Sequence, residues 1–239
     1  MTQSHRVAIL QSNYIPWKGY FDLIDSVDDF VIYDEVQYTR RDWRNRNKIK
    51  LSGGPTWLTI PVQVKHQFEQ KISATKVSST HWAREHWLSI SHAYARAKYF
   101  ELYRDLFKEL YDQAQSLEYL SQINCLFIDA ICRILKIGTR LHQSSAFVLL
   151  EGRTERLAGI CHDLKASTYV SGPAAKDYLD EQVFSGMGMS VEWFKYGPYA
   201  SYEQLYPPFE AAVSVLDLLF ATGEQARTYI KPMVSDSAV

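Results

Sequence analysis

Apolar positions along the chain follow two rhythms. Short, partly β-branched runs stand at Arg6 to Leu10, Asp29 to Tyr33, Thr56 to Val62, Thr168 to Ser171 and Ser190 to Phe194, with a further one around Thr139 to Val148. Runs of this length bounded by turn residues predict strands. The other rhythm is helical. Trp82, His86, Ile90, Ala93 and Ala97 recur at three or four residues, as do Leu102, Leu106 and Leu110, so 82–136 predicts helices, broken near Ala97 to Tyr99 and near Ser116. A helix after Gly19 places Phe21, Leu23 and Ile24 against Asp22 and Asp25, and others are expected at Thr154 to Leu164, Ala174 to Val183 and Phe209 to Gly223.

The first run, the Pro16-containing loop, the helix and the apolar second run make a βαβ opening. Strands interleaved with helices predict an α/β fold with a mostly parallel sheet, flanking helices and an inserted helical layer at about 82–136. That is a Rossmann-like arrangement, with a nucleotidyltransferase-like one as the alternative. The expected organisation is a single domain over 1–230 and a loose tail over 231–239.

Composition narrows the partners. Hydrophobic residues make up 46% of the 239, yet no apolar run reaches the roughly 20 needed to span a bilayer. MTQSHRVAIL lacks the features of a signal peptide, so a cytoplasmic location is expected, with no membrane span. The balance of 26 basic against 27 acidic residues argues against nucleic acid as partner. It hides a local excess, because Arg40, Arg41, Arg44, Arg46, Lys48 and Lys50 face the single acid Asp42. Such a loop suits a small anionic ligand. Cys125, Cys132 and Cys161 form no CxxC pair, and no metal site is expected. Cys125 and Cys132 fall on an apolar helical stripe as buried thiols, while Cys161, followed by His162 and Asp163, stays open as a reactive group. HExxH, P-loop, G-x-S-x-G and GxGxxG patterns are missing from the sequence.

Loops at the C-terminal ends of parallel strands are where α/β folds place ligands. The first carries Gln11, Asn13, Tyr14, Trp17, Lys18, Gly19 and Tyr20; the second carries Asp34, Gln37, Tyr38, Arg41, Trp43, Arg44, Asn45 and Arg46. Guanidinium groups clamp phosphate or carboxylate and aromatic faces suit a base or sugar ring, although a solvated basic loop and two core-edge tryptophans explain the same letters. A third segment, Tyr169-Val170-Ser171-Gly172-Pro173, ends a strand in a turn, where Ser171, Gly172 and Lys176 are suited to receive an oxyanion or simply to cap a helix. His86 shares a stripe with Trp82 and Ile90, so it is a core histidine or a base.

The runs VAILQSNYIPWKGYFDLI, DEVQYTRRDWRNRNKIK, WLTIPV, YVSGPAAKDYL and VSVLDLLF, in this order, resemble the WbqC-like protein family. The resemblance spans residue 7 to about 223 and implies a bacterial protein encoded near O-antigen, lipopolysaccharide or natural-product genes. Where the family usually has proline the chain has Ser12, a change expected to loosen the turn holding Asn13 and Tyr14. The implied role is glycyl or related acyl transfer to an amino sugar. The acceptor would be a nucleotide sugar and the donor an aminoacyl or acyl thioester on a carrier protein or coenzyme A. Asp34 or His86 would take the amine's proton, Gln11, Asn45 or the backbone amides after Gly172 would hold the oxyanion, and Tyr14 completes the catalytic candidates. Trp17, Gly19, Tyr20, Gln37, Tyr38, Arg41, Trp43, Arg44, Asn45, Arg46, Ser171, Gly172 and Lys176 would bind substrate. Two other readings stand beside it. Trp17-Lys18-Gly19-Tyr20 occupies the place of a nucleotidyltransferase loop, without its second histidine, and the chain is otherwise a non-catalytic subunit of a glycan assembly complex.

Overall fold

A computed structural model describes residues 4–233. Seven strands and eight α-helices follow in the order β1 (Arg6–Leu10), α1 (Lys18–Asp25), β2 (Asp29–Ile32), β3 (Arg46–Leu51), β4 (Gly54–Thr59), α2 (His81–Tyr94), α3 (Phe100–Ala114), α4 (Leu120–Ile134), β5 (Arg140–Gln143), α5 (Arg153–Asp163), β6 (Thr168–Ser171), α6 (Glu181–Gly186), β7 (Ser190–Trp193), α7 (Val215–Thr222) and α8 (Ala226–Tyr229).

Five of the strands form one parallel sheet in the order β5-β2-β1-β6-β7. Alternating side chains feed two cores, as the pleat requires. Ala8, Phe30, Ile32 and Val170 pack into a core built from α1, the α2–α4 layer and α7. Val7, Ile9, Val31, Tyr33 and Tyr169 face the other way, against α5 and α6. The sheet is therefore a Rossmann-like α/β sheet covered on both faces. The chain moves from β1 through β2 to β5 on one side and through β6 to β7 on the other. The order thus reverses between β1 and β6, and their C-terminal ends open a crevice there.

Other elements differ from expectation. The basic stretch is not a loop throughout. Its second half is β3, paired antiparallel with β4 in a hairpin apart from the sheet, with Lys48 opposite Trp57. Asn47 and Ile49 point inward while Arg46 and Lys48 stay partly exposed, a period of two that the charge count obscures. The helix expected over Ala174 to Val183 is a 3₁₀ turn at Pro173–Ala175 followed by α6, which starts where Asp180 accepts the Gln182 N–H. The last long helix begins only at Val215, because Ser214 caps it and donates its own N–H to the Lys48 carbonyl at 2.8 Å, tying 209–214 to the hairpin. The strand expected over Thr139 to Val148 stops at Gln143. At the expected loose tail, Met233 N–H donates to the Pro198 carbonyl and Lys231 pairs with Asp25, each of these holding the segment down; 234–239 lie outside the described residues. No described helix is long and apolar enough to cross a membrane.

Candidate ligand-binding site at the strand ends

At the crevice between β1 and β6 lies a cavity of about 780 Å³. Leu10 and Gln11 leave β1 into it, Ser171 and Gly172 leave β6, and Gln37 and Arg44 reach it from the second loop. The far wall is the first turn of α5, with Arg153 and Arg156. Its three guanidinium groups meet no Asp or Glu among the lining residues, and no Lys, His or Cys lines the wall either. Among the described residues Arg153 and Arg156 have no carboxylate ion partner, while Arg44 has Asp42 at 3.6 Å. The N–H groups that open α5 lie at the same end, where the Glu155 carboxylate also packs against Gly152. Gly152, at φ 94°, starts that helix in a conformation that suits glycine, and a side chain there would collide with the Glu155 carboxylate. Arg153 lies over the Tyr178 ring at 4.9 Å, so one mouth of the cavity is a cation resting on an aromatic face. Arg156 donates its Nε–H to the Leu150 carbonyl at 2.9 Å, which aims the guanidinium.

Arg44 is fixed from behind. It donates to Gln11 Oε1 at 3.3 Å and to Asn13 Oδ1, while Asn124 Nδ2–H binds its carbonyl at 2.9 Å. Asp34 is 3% exposed and does not line the cavity. It accepts the Ser12 N–H at 2.9 Å and the Ser121 hydroxyl, and Ser12 Oγ accepts from Asn124 at 2.9 Å. Burial pushes the Asp34 carboxyl above its ordinary range, against the Ser121 and Ser12 hydrogen bonds and the charge of Arg44. These contacts make it an anchor of both loops. Ser12, expected to loosen its turn, is held through both its amide and its hydroxyl.

Tyr14 and His86 lie elsewhere. The Tyr14 hydroxyl, fully buried, sits 2.9 Å from His86 Nδ1 and 2.6 Å from the Tyr111 hydroxyl, among Trp82 and Phe127. Burial lowers the His86 pKa to about 4, so the ring is neutral at pH 7. Tyr20 donates to the Gln11 carbonyl at 3.0 Å and Asn45 to the Ile60 carbonyl at 2.8 Å, both buried supports. Tyr38 is buried. Gly19 leaves room for the Trp17 ring, which a Cβ would meet at 2.4 Å. Lys176 rests over Trp193 at 5.5 Å, off the cavity wall. Lys18 is buried between Tyr199 and Tyr202 and donates to the Ala200 carbonyl. Cys161 is buried, which raises its thiol pKa, and burial pushes Cys125 and Cys132 to about 12. Among the described residues no His, Cys, Asp and Glu group has a metal-binding arrangement.

The basic stretch is thus divided. Arg44 enters the cavity, whereas Arg41, Trp43 and Arg46 belong to the hairpin side, Arg40 donates to the Val64 carbonyl and Lys50 is buried against Gln204. Arg153 and Arg156 were not among the expected residues. Their signal is two arginines three apart in the first turn of a helix, where the dipole disfavours cations.

The family model of the WbqC-like protein family matches residues 11–229, a span that holds both strand-end loops, α5 and the hairpin. The chain belongs to the WbqC-like protein family. It is 50% identical over 226 residues to the uncharacterized protein Rv1507c of Mycobacterium tuberculosis (strain ATCC 25618 / H37Rv), covering 95% of this chain and 97% of that one. No solved structure matches. Within this WbqC-like chain, Gln11, Gln37, Arg44, Ser171 and Gly172 share one cavity, a juxtaposition the sequence left open.

Proposed function

We propose that this WbqC-like protein binds a nucleotide-linked amino sugar in the strand-end cavity and forms an amide on its amine, in surface-polysaccharide or natural-product biosynthesis. The observation that carries the reading is a wall holding Arg44, Arg153 and Arg156 with no lining carboxylate, at the reversal point of a parallel sheet. Guanidinium groups and the α5 amides suit a diphosphate. The Tyr178 ring, with Arg153 over one face, offers the other to a base.

The acyl unit would come from a thioester. The neutral amine attacks the thioester carbonyl, the C–N bond forms as the C–S bond breaks, the thiol sulfur leaves with the electron pair, and the proton shed by the amine passes to it. Gln11 and the Ala174 N–H are the donors for the developing oxyanion, Pro173 having no N–H and Ala175 N–H being spent on the Gly172 carbonyl. With no Asp, Glu, His, Lys or Cys on the wall, the thiolate itself receives the proton. Direct transfer fits better than an acyl-enzyme on buried Cys161. Incubation of the protein with a uridine diphosphate amino sugar and glycyl or acetyl thioesters, read by mass spectrometry, tests this. An amide product lost in Arg44→Ala supports it, and no product with any thioester rejects it.

The same lack of Asp, Glu, His, Lys and Cys side chains on the wall favours a second reading, a binding subunit that presents the ligand to another enzyme. A nucleotidyltransferase role draws less support, because Lys18 points to Ala200 and not into the cavity.

A further inference from the structure

A second cavity, of about 410 Å³, opens beside the hairpin between Trp43 and the segment carrying Ala211 and Ala212, with Pro16 and Trp17 at its base. Its wall is apolar apart from two amides. Asn47 spends its own on the Tyr14 and Ile15 carbonyls and on the Lys48 N–H. Asn13 uses its oxygen for Arg44, which leaves its NH₂ facing the space. Trp43 and Trp57 are each 41% exposed, with ring centroids 5.2 Å apart. Two half-bared indoles together are costly unless something covers them. Cations surround the pair, with the Arg46 guanidinium 4.2 Å from the Trp57 centroid and Lys48 Nζ 5.0 Å from it. Neither has a carboxylate ion partner among the described residues, the nearby Asp42 being turned to Thr39 and to the Trp43 amide.

We infer that this slot is a second binding site, for a flat aromatic ring that carries an anionic group. The ring enters between Trp43 and the Ala211–Ala212 segment, where an apolar wall rewards burial. The anion stays outside the slot, toward Arg46 and Lys48, neither of which has a carboxylate ion partner among the described residues. A nucleobase bearing phosphate and a simple aryl phosphate share this chemistry. The slot is separate from the strand-end cavity, from which the Arg44–Asn13 pair divides it, so the inference does not depend on the function proposed above.

Calorimetric titration of the full chain with phenyl phosphate, AMP and inorganic phosphate tests it. The expected result is at least a tenfold tighter binding of a ring-bearing probe than of inorganic phosphate. That binding falls at least tenfold in Trp43→Ala and in Ala211→Phe, which fills the slot from an exposed position, and is unchanged in Arg156→Ala. Tighter phenyl phosphate assigns a single aryl ring and tighter AMP a nucleotide, both within the inference. Equal affinity for inorganic phosphate, no binding of any probe, or binding lost in Arg156→Ala but kept in either slot variant overturns it.

Discussion

Replacing Asp34 separates an anchor from a base. Its carboxylate accepts the Ser12 N–H and the Ser121 hydroxyl in a site 3% exposed, and alanine there leaves the buried Ser12 N–H and the half-buried Ser121 hydroxyl without that acceptor. Each such group costs about 1–3 kcal/mol, so Asp34→Ala should lose about 2–6 kcal/mol. For a chain of this length one kcal/mol moves the melting temperature by about 2–4 °C, which makes the expected fall roughly 4–24 °C. Asp34→Asn keeps an oxygen for Ser12 and turns its NH₂ toward Ser121 Oγ, so it should melt within a few degrees of the wild type at pH 7. The pH dependence has a definite sign. Burial raises the folded pKa of Asp34, so folding favours the protonated acid. That contribution is full below the unfolded value of about 3.9 and is lost as pH rises through the folded one. Asp34→Asn does not titrate and should gain on the wild type from about pH 4 to neutrality. Scanning calorimetry of both variants at several pH values checks this. A melting point of Asp34→Ala within 2 °C of wild type, or an Asp34→Asn variant as damaged as Asp34→Ala, refutes the anchor.

Gly19→Ala puts a methyl 2.4 Å from the Trp17 ring and should cost about 1–3 kcal/mol in denaturant unfolding, with Trp17 fluorescence altered in the folded protein. Tyr14→Phe removes a hydroxyl shared by His86 and Tyr111, and should cost about 1–3 kcal/mol without changing anion binding, measured by the same unfolding and by calorimetry. Burial lowers Lys18 to about 8, so folding favours its neutral form, and the wild type should gain stability on Lys18→Met as pH rises from about 8 to 10.4. Thiol labelling of the folded protein at pH 7.5 should leave Cys161 unmodified until denaturant is added, since it is buried with a raised pKa.

The βαβ opening was legible because short apolar runs suit strands buried on both faces, and the α2–α4 layer because it carries a sustained helical period. β1 and β6 stand at the predicted bounds, and the helix breaks near Ala97 and Ser116 fall between α2, α3 and α4. The hairpin was hidden because charge dominated the reading of Arg46 to Lys50, although Asn47 and Ile49 alternate with the charges. α6 was misplaced because Asp180, an ordinary acid in the sequence, becomes a cap once its chain turns after Pro173. At the site, Gln11, Arg44 and Ser171 could be nominated because loops after parallel strands converge. Which nominees point inward depends on side-chain direction. Asp34 stands next to the lining Tyr33 yet turns into a buried network, Tyr14 turns into another, and Arg153 and Arg156 arrive from a helix more than a hundred residues downstream.

The central claim is that the strand-end cavity holds a diphosphate on its arginines. Calorimetric titration with a uridine diphosphate sugar of the wild type, Arg156→Ala and Lys176→Ala tests it most directly. A charge-assisted contact is worth about 1.5–3 kcal/mol, so Arg156→Ala should weaken binding roughly 10- to 150-fold. Lys176, which rests on Trp193 outside the cavity, should be replaceable without loss. Equal affinity of wild type and Arg156→Ala, or an equal loss in Lys176→Ala, would contradict the account.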